Sequence, residues 1–187
     1  MYQFCVSGAA KGASVEEGKA LARAAGRSIA AAGHSLMTGA TTGLPNYAAI
    51  GYKEGGGKMS LGLSPASTKV EHVVKYRLPT ESYDTILFTG LHYVGRDSLL
   101  ITSADAVISI GGRMGTLHEF TIAMETRTPI AFLQGAGGIS EEIQQILDIL
   151  PNLHKELVIF ETDPDELVAK LTKLLNKLHK PYHYVYQ

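Results

Sequence analysis

The chain has 187 residues, 45% of them hydrophobic and 19% charged, with a formal net charge of -1. This length supports a core of its own, and the composition excludes an intrinsically disordered chain. The near-neutral balance argues against nucleic acid as the main partner, and the single cysteine, Cys5, excludes an internal disulfide.

The first predicted strand is YQFCVSG at 2–8, ending in a glycine turn. No charged segment precedes it, so it is not read as a signal peptide. No stretch reaches the ~18 apolar residues of a membrane helix. A cytoplasmic protein without membrane contact is therefore expected. Ser14 with Glu17 reads as a capping box opening a helix. Leu21, Ala25, Ser28, Ile29 and Ala32 form its apolar face, and Gly33 ends it as a left-handed cap. HSLMTGATTG at 34–43 is a strand entering a glycine- and threonine-rich loop. A helix follows over 45–54, then a strand over 58–64 closed by Pro65.

Residues 66–84 carry no clear period, and TKVEHVVKYR suits a short helix or a strand. Strand, helix and strand then follow at 85–90, 92–104 and 105–112. The next pair is a helix at 116–127 and a strand at 129–135. A helix at 140–150 places Ile139, Ile143, Ile146 and Leu150 on one face. The last strand is 156–161. Asp163-Pro164-Asp165-Glu166 starts a final helix, striped by Leu167, Leu171, Leu174, Leu175 and Leu178. The tail PYHYVYQ reads as extended or docked on a neighbour.

Alternating strands and helices, with several strands apolar throughout, predict an α/β fold. The expected architecture is one doubly wound, Rossmann-like domain over 1–187, its sheet mostly parallel with helices on both faces. Ligands of such sheets bind at the carboxyl ends of the strands, near the switch in strand order. The glycine turns at 7–12, 38–43 and 111–116 are expected on that edge.

Gly111, Gly112, Arg113, Gly115 and Thr116 form a strand-to-helix turn suited to an anion, with free N–H groups and a helix dipole behind them. A tight turn with no ligand remains the alternative. The pattern is neither the dinucleotide fingerprint nor a Walker loop. Glu119 has two readings as well: Thr116 to Glu119 spells a capping box, and Glu119 together with Arg96 can face the anion turn. An arginine, a carboxylate and a phosphate cradle suit a phosphorylated substrate with a cation-like transition state. The histidines lack metal-ligand spacing, so no metal site is expected.

These residues resemble the Lonely Guy family of cytokinin riboside 5'-monophosphate phosphoribohydrolases. Its P-G-G-x-G-T-x-x-E element is similar to Gly111 through Glu119. Its arginine before an ADA segment is similar to Arg96 before Ala104-Asp105-Ala106. The sequence departs from the pattern at Gly111, Arg113 and Asp97, which stand for proline, glycine and lysine. It departs again at Thr38-Gly39-Ala40, where the family has a glycine triplet. These departures resemble molybdenum-cofactor carrier proteins of the wider superfamily.

The resemblance implies hydrolysis of the N-glycosidic bond of a purine nucleoside 5'-monophosphate, with AMP as the type of ligand and no cofactor. Arg96 and Glu119 would be catalytic. Gly111, Gly112, Arg113, Gly115 and Thr116 would bind phosphate. Ser7, Gly8, Thr38, Gly39 and Gly43 would line the cleft. It also implies a homodimer or a multiple of one. The alternative, favoured by Arg113 and Asp97, is a protein that binds a nucleotide or a pterin-type phosphorylated cofactor without turning it over.

Overall fold

The computed structural model describes residues 1–150 and 154–185. Seven strands form one sheet: β1 (Gln3–Gly8), β2 (Ser35–Thr38), β3 (Ser60–Ser64), β4 (Thr85–Phe88), β5 (Ala106–Ile110), β6 (Ile130–Leu133) and β7 (Val158–Glu161). Six α-helices connect or follow them: α1 (Ala13–Ala31), α2 (Leu44–Glu54), α3 (His92–Thr102), α4 (Met114–Thr126), α5 (Ile143–Ile149) and α6 (Pro164–His179). The strand order is β4-β3-β2-β1-β5-β6-β7. Every pairing is parallel. The α/β, Rossmann-like fold is thus as expected, with a wholly parallel sheet.

Parallel strands need crossovers, and the crossovers place helices on both faces. One core layer unites Phe4, Val6, Ile108 and Ile110 of the sheet with Ala25 and Ile29 of α1, Ala48 and Tyr52 of α2, and Leu167 and Leu171 of α6. The opposite layer joins Cys5, Val107, Ile130 and Phe132 to Leu100 and Ile101 of α3, Phe120 and Ala123 of α4, and Ile143 and Leu147 of α5. All five residues of β5 are buried, which is why its sequence lacks polar alternation. Among the described residues, no helix is long and apolar enough to cross a membrane.

Several local expectations change. Ser14 and Glu17 do not form a capping box, because Gly12 is the N-cap of α1 and no side chain caps it. Ser14 already lies within the helix, where its Cβ borders Gly111. The box at Thr116 and Glu119 is absent for the same reason: α4 starts two residues earlier, behind Arg113. The unclear segment holds one π-helical turn, Glu71–Lys75, rather than a strand. A 3-10 turn at Gly138–Glu141 precedes the shortened α5, and Leu147 replaces the exposed Leu150 on its buried face. Another 3-10 turn, Lys155–Leu157, takes the start of the expected last strand. The tail is a 3-10 turn over Lys180–Val185 rather than extended, with 186–187 outside the described residues.

The two ends read most firmly from local chemistry hold. Gly33 has φ +72, its N–H reaches Ala30 O (2.9 Å), and the His34 N–H reaches Ile29 O (3.2 Å), closing α1 with a Schellman motif. Asp163 caps α6, accepting the Asp165 and Glu166 N–H groups at 2.9 Å each.

Helices α1 and α2 approach closely because glycine stands at both contacts. A Cβ on Gly26 would overlap Ala48 O, and one on Gly51 would overlap Arg23 O. Both obstacles are backbone, so neither can rotate away. Gly26→Ala is expected to destabilise the protein by ~1–3 kcal/mol, the usual cost of overpacking. Gly115→Ala, whose Cβ would meet nothing within 4 Å, should be neutral or slightly stabilising in the same urea titration. Equal midpoints for the two variants would show that α1 and α2 separate at no cost.

A candidate active site at the switch in strand order

Strand β1 runs on to β2 on one side and its neighbour β5 runs on to β6 on the other, so the connections leaving these two strands diverge. That divergence opens a crevice beyond the strand ends. The crevice is a cleft of about 230 Å3, lined by Ser7 and Gly8 at the end of β1 and Ala9 after it, Gly39 and Thr41 after β2, and Arg113, Gly115 and Thr116 at the start of α4. Arg96, Asp97 and Glu119 face it from α3 and α4.

The loops are fastened to one another. The Leu44 N–H donates to Ala9 O at 2.8 Å, and the Thr42 hydroxyl to Ala10 O at 3.3 Å. Gly43, with φ +79, has no room for a Cβ beside Ala9 and Ala10. It shapes the junction and does not line the cleft. Gly111 and Gly112 also stand behind the cleft wall. The Ile139 N–H donates to Gly112 O (2.9 Å), and the Ser140 hydroxyl to Gly111 O. Thr38 is fully buried, with its hydroxyl 2.8 Å from the Tyr83 hydroxyl and its Oγ1 accepting the Ala40 N–H at 3.0 Å. Burial pushes the Tyr83 phenol up to about 12. Of the predicted residues, Ser7, Gly8, Gly39, Arg96, Arg113, Gly115, Thr116 and Glu119 are brought together at the cleft. Thr38, Gly43, Gly111 and Gly112 lie outside it.

Helix α4 enters with no side-chain cap, and its first internal bond runs from the Leu117 N–H to Arg113 O. The N–H groups before Leu117 therefore have no acceptor within the helix. With the helix dipole behind them, they offer an anion site at the cleft wall. Arg113 is exposed beside them.

Deeper in, Arg96 is only 4% exposed. Its guanidinium lies directly on Gly39, where any Cβ would overlap Nη1. Its buried Nε has no hydrogen-bond partner, only Asp97 Oδ1 at 3.4 Å. A guanidinium carries five N–H donors, and leaving them unmade in a buried place is costly. The side chain thus lines the cleft with one buried donor unmade.

Glu119 belongs to the second turn of α4 and accepts a hydrogen bond from the Ser7 hydroxyl at the end of β1. Its carboxyl is pushed up to about 7. Burial is the main cause and the Asp97 charge adds to it, while the Ser7 bond and Arg96 oppose the shift. Asp97 is also raised, first by burial, against the opposing pull of Arg96 and His118. Asp97 sits 3.4 Å from His118 Nδ1. Perturbed carboxyls of this kind, gathered in a crevice, are a mark of functional sites.

Sequence reasoning noticed Asp97 only as a departure and did not place it or Tyr93 at the site. The signal was available: Tyr93, Arg96 and Asp97 have the i, i+3, i+4 spacing of one helix face. Among the described residues, no three His, Cys, Asp or Glu side chains are grouped to hold a metal ion.

Comparison with known proteins agrees with the wider superfamily placement. The model of LDcluster4, the SLOG cluster4 family, matches residues 1–168, and the chain belongs to that family. An uncharacterized protein of Archaeoglobus fulgidus is 31% identical over 119 residues, covering 64% of this chain and 72% of its relative. The crystal structure of TM1055 is 25% identical and superposes with a TM-score of 0.77 over 93% of this chain and 99% of the other. The molybdenum cofactor carrier protein of Chlamydomonas reinhardtii is 26% identical, with a TM-score of 0.74 over 93% of this chain and 98% of the carrier.

The raised Glu119 pKa has a stability consequence whose sign is fixed. A folded state that keeps a proton to about 7 gains stability below the ordinary value of 4.5 and loses it as pH rises through 7. Glu119→Gln stays neutral at every pH and can still accept from Ser7. The variant should therefore melt above the wild type at pH 8.5, with a smaller gap at pH 5. An identical gap in both thermal scans would mean that Glu119 titrates like an exposed carboxylate.

Proposed function

We propose, from membership of the SLOG cluster4 family and the chemistry of this cleft, that the protein hydrolyses the N-glycosidic bond of purine nucleoside 5'-monophosphates. Products are the free base and ribose 5-phosphate. The observation that carries the reading is one pairing. Glu119, held by Ser7, shares a cleft with the buried, under-satisfied Arg96, and that cleft is walled by the start of α4.

In this mechanism the 5'-phosphate binds the free N–H groups of α4 and Arg113. As the bond from C1' to the base breaks, its electron pair leaves with the base, and positive charge grows on the ribose. The ionised Glu119 faces that charge and orients the attacking water, as a glycosidase carboxylate does. Ser7 occupies one side of the carboxylate and fixes its direction. The Arg96 donors accept electron density building on the leaving base. Water supplies oxygen to C1', and its proton balances the charge on the departing base.

A second reading has its own support. The Chlamydomonas relative is named as a molybdenum cofactor carrier. Arg113 and Asp97 add a cation and an anion to the cleft where the hydrolase pattern has glycine and lysine. On this reading the cleft binds a phosphorylated ligand and releases it unchanged.

The test is chromatography for free base after incubation with AMP and other nucleoside monophosphates. Wild-type protein should release base, and Glu119→Gln should be at least ~100-fold slower, the scale of one lost electrostatic stabiliser. AMP should bind at least ~10-fold more tightly than adenosine, since a charge-assisted hydrogen bond contributes about 1.5–3 kcal/mol. Arg113→Ala should narrow that ratio. Tight nucleotide binding by both proteins with no base released would decide for the carrier.

We also propose a homodimer, or a multiple of one, through the flank of β4 and α3. Val70, Val74, Leu87, Leu91 and Val94 are exposed there. The π-turn is tied to the same flank by the Tyr76 hydroxyl, 2.8 Å from His92 Nδ1. Clustered apolar exposure of this kind marks association surfaces. Sedimentation at micromolar concentration should give a dimer, and a monomer with full activity would remove the proposal.

A further inference from the structure

The proposed reading leaves Asp97 without a role, although it lines the cleft and is 7% exposed. Its two neighbours are both distant. Arg96 Nε and His118 Nδ1 each lie 3.4 Å away, beyond the 2.7–3.2 Å of a well-formed N–H···O bond. A carboxylate removed from water without close donors is unfavourable unless a ligand supplies them. The neighbouring Arg96 Nε is buried with no hydrogen-bond partner. Asp97, held by one long hydrogen bond, and Arg96, with a buried donor unmade, thus lie side by side in the wall of one cleft.

Tyr93 completes the arrangement. It lies one turn before Arg96 and Asp97 on α3, lines the cleft and keeps 46% of its surface exposed. The Arg96 Cζ sits 6.0 Å from its ring centroid. A half-exposed aromatic ring, with Tyr76 edge-on to it at 5.7 Å, beside a buried carboxylate is a place for a flat heterocycle to pack while its edge is read.

The geometry points to Asp97 as a specificity residue that reads a base edge carrying two adjacent N–H donors, the edge of guanine, with Tyr93 as the packing surface. This rests on the nucleotide reading of the cleft. Guanine presents its N1–H and 2-amino group side by side, matching the two oxygens of one carboxylate. Hypoxanthine presents the N1–H alone. Adenine presents an acceptor, N1, beside its 6-amino group, and that lone pair would face the Asp97 charge. A site whose buried polar group is unmatched by the wrong ligand discriminates far more strongly than one that only measures size. The order expected from donor count is GMP, then IMP, then AMP. Pterins share the same amino-oxo edge without the ribose phosphate, so they belong among the probes.

The experiment is calorimetric titration of GMP, IMP, AMP and 6-hydroxymethylpterin, done in the Glu119→Gln protein so that no nucleotide is consumed. GMP should bind at least ~10-fold more tightly than AMP, with IMP between. Adding Asp97→Asn should weaken GMP and leave AMP equal or tighter, because the amide can donate to adenine N1 and accept from its 6-amino group. If Asp97 only steadies Arg96, the substitution weakens all three nucleotides by one factor, which overturns the proposal. GMP binding no better than AMP also overturns it, and leaves the nucleotide reading standing. Binding of the pterin but of no nucleotide, lost in Asp97→Asn, would keep the edge reading and reject the nucleotide one. Circular dichroism of each variant checks that the fold is retained.

Discussion

One constraint organises the cleft: a guanidinium has been taken out of water at the edge of a parallel sheet. Arg96 is 4% exposed and lies against the backbone of Gly39. A charge in that position requires opposite charge close by and a ligand or donor set to complete it. Asp97 supplies the first from the next position on α3, and Glu119 adds a second carboxyl from α4. The glycine at 39 follows from the same constraint, because any side chain there would occupy the space of the arginine.

The surrounding scaffold explains how these groups meet. Every strand pairing is parallel, so all strands end on the same edge, and the switch around β1 leaves a crevice there. The loop after β2 is bonded to the loop after β1 through Leu44 and Ala9. The turn before α4 is held from behind by Ile139 and Ser140. The cleft walls are therefore fixed by backbone hydrogen bonds, which suits a site that must hold charged groups in register.

The two carboxyl groups are differentiated by environment. Glu119 accepts from Ser7 and is raised to about 7 by burial and by the charge of Asp97. Asp97 lies between the Arg96 guanidinium and the His118 ring and still rises because burial dominates. Each therefore influences the protonation of the other, and a cation bound or formed between them would favour the ionised form of both. That coupling suits either a positively charged transition state or a donor-rich ligand edge.

Much of this was legible in the sequence, in segments where local chemistry is sufficient. The continuous apolar strands, Gly33 after α1 and Asp163 before α6 each specify their structure through near neighbours, and the parallel fold follows from their alternation. Arg96 and Glu119 could be singled out because both follow strands that end on one edge. The capping boxes failed because a short pattern cannot tell where a helix starts. Gly12 and Arg113 began α1 and α4 earlier, and Glu119 was left free to meet Ser7, 112 positions away. The burial of Thr38, the removal of Gly111 and Gly112 behind the wall, and the entry of Asp97 and Tyr93 into the cleft also depended on contacts between distant segments. Sequence by itself determined the elements and their alternation, since those arise from side-chain period and backbone preference over a few residues. Only the tertiary structure decided which polar groups share the low-dielectric cleft, because desolvation is set by everything packed around a charge.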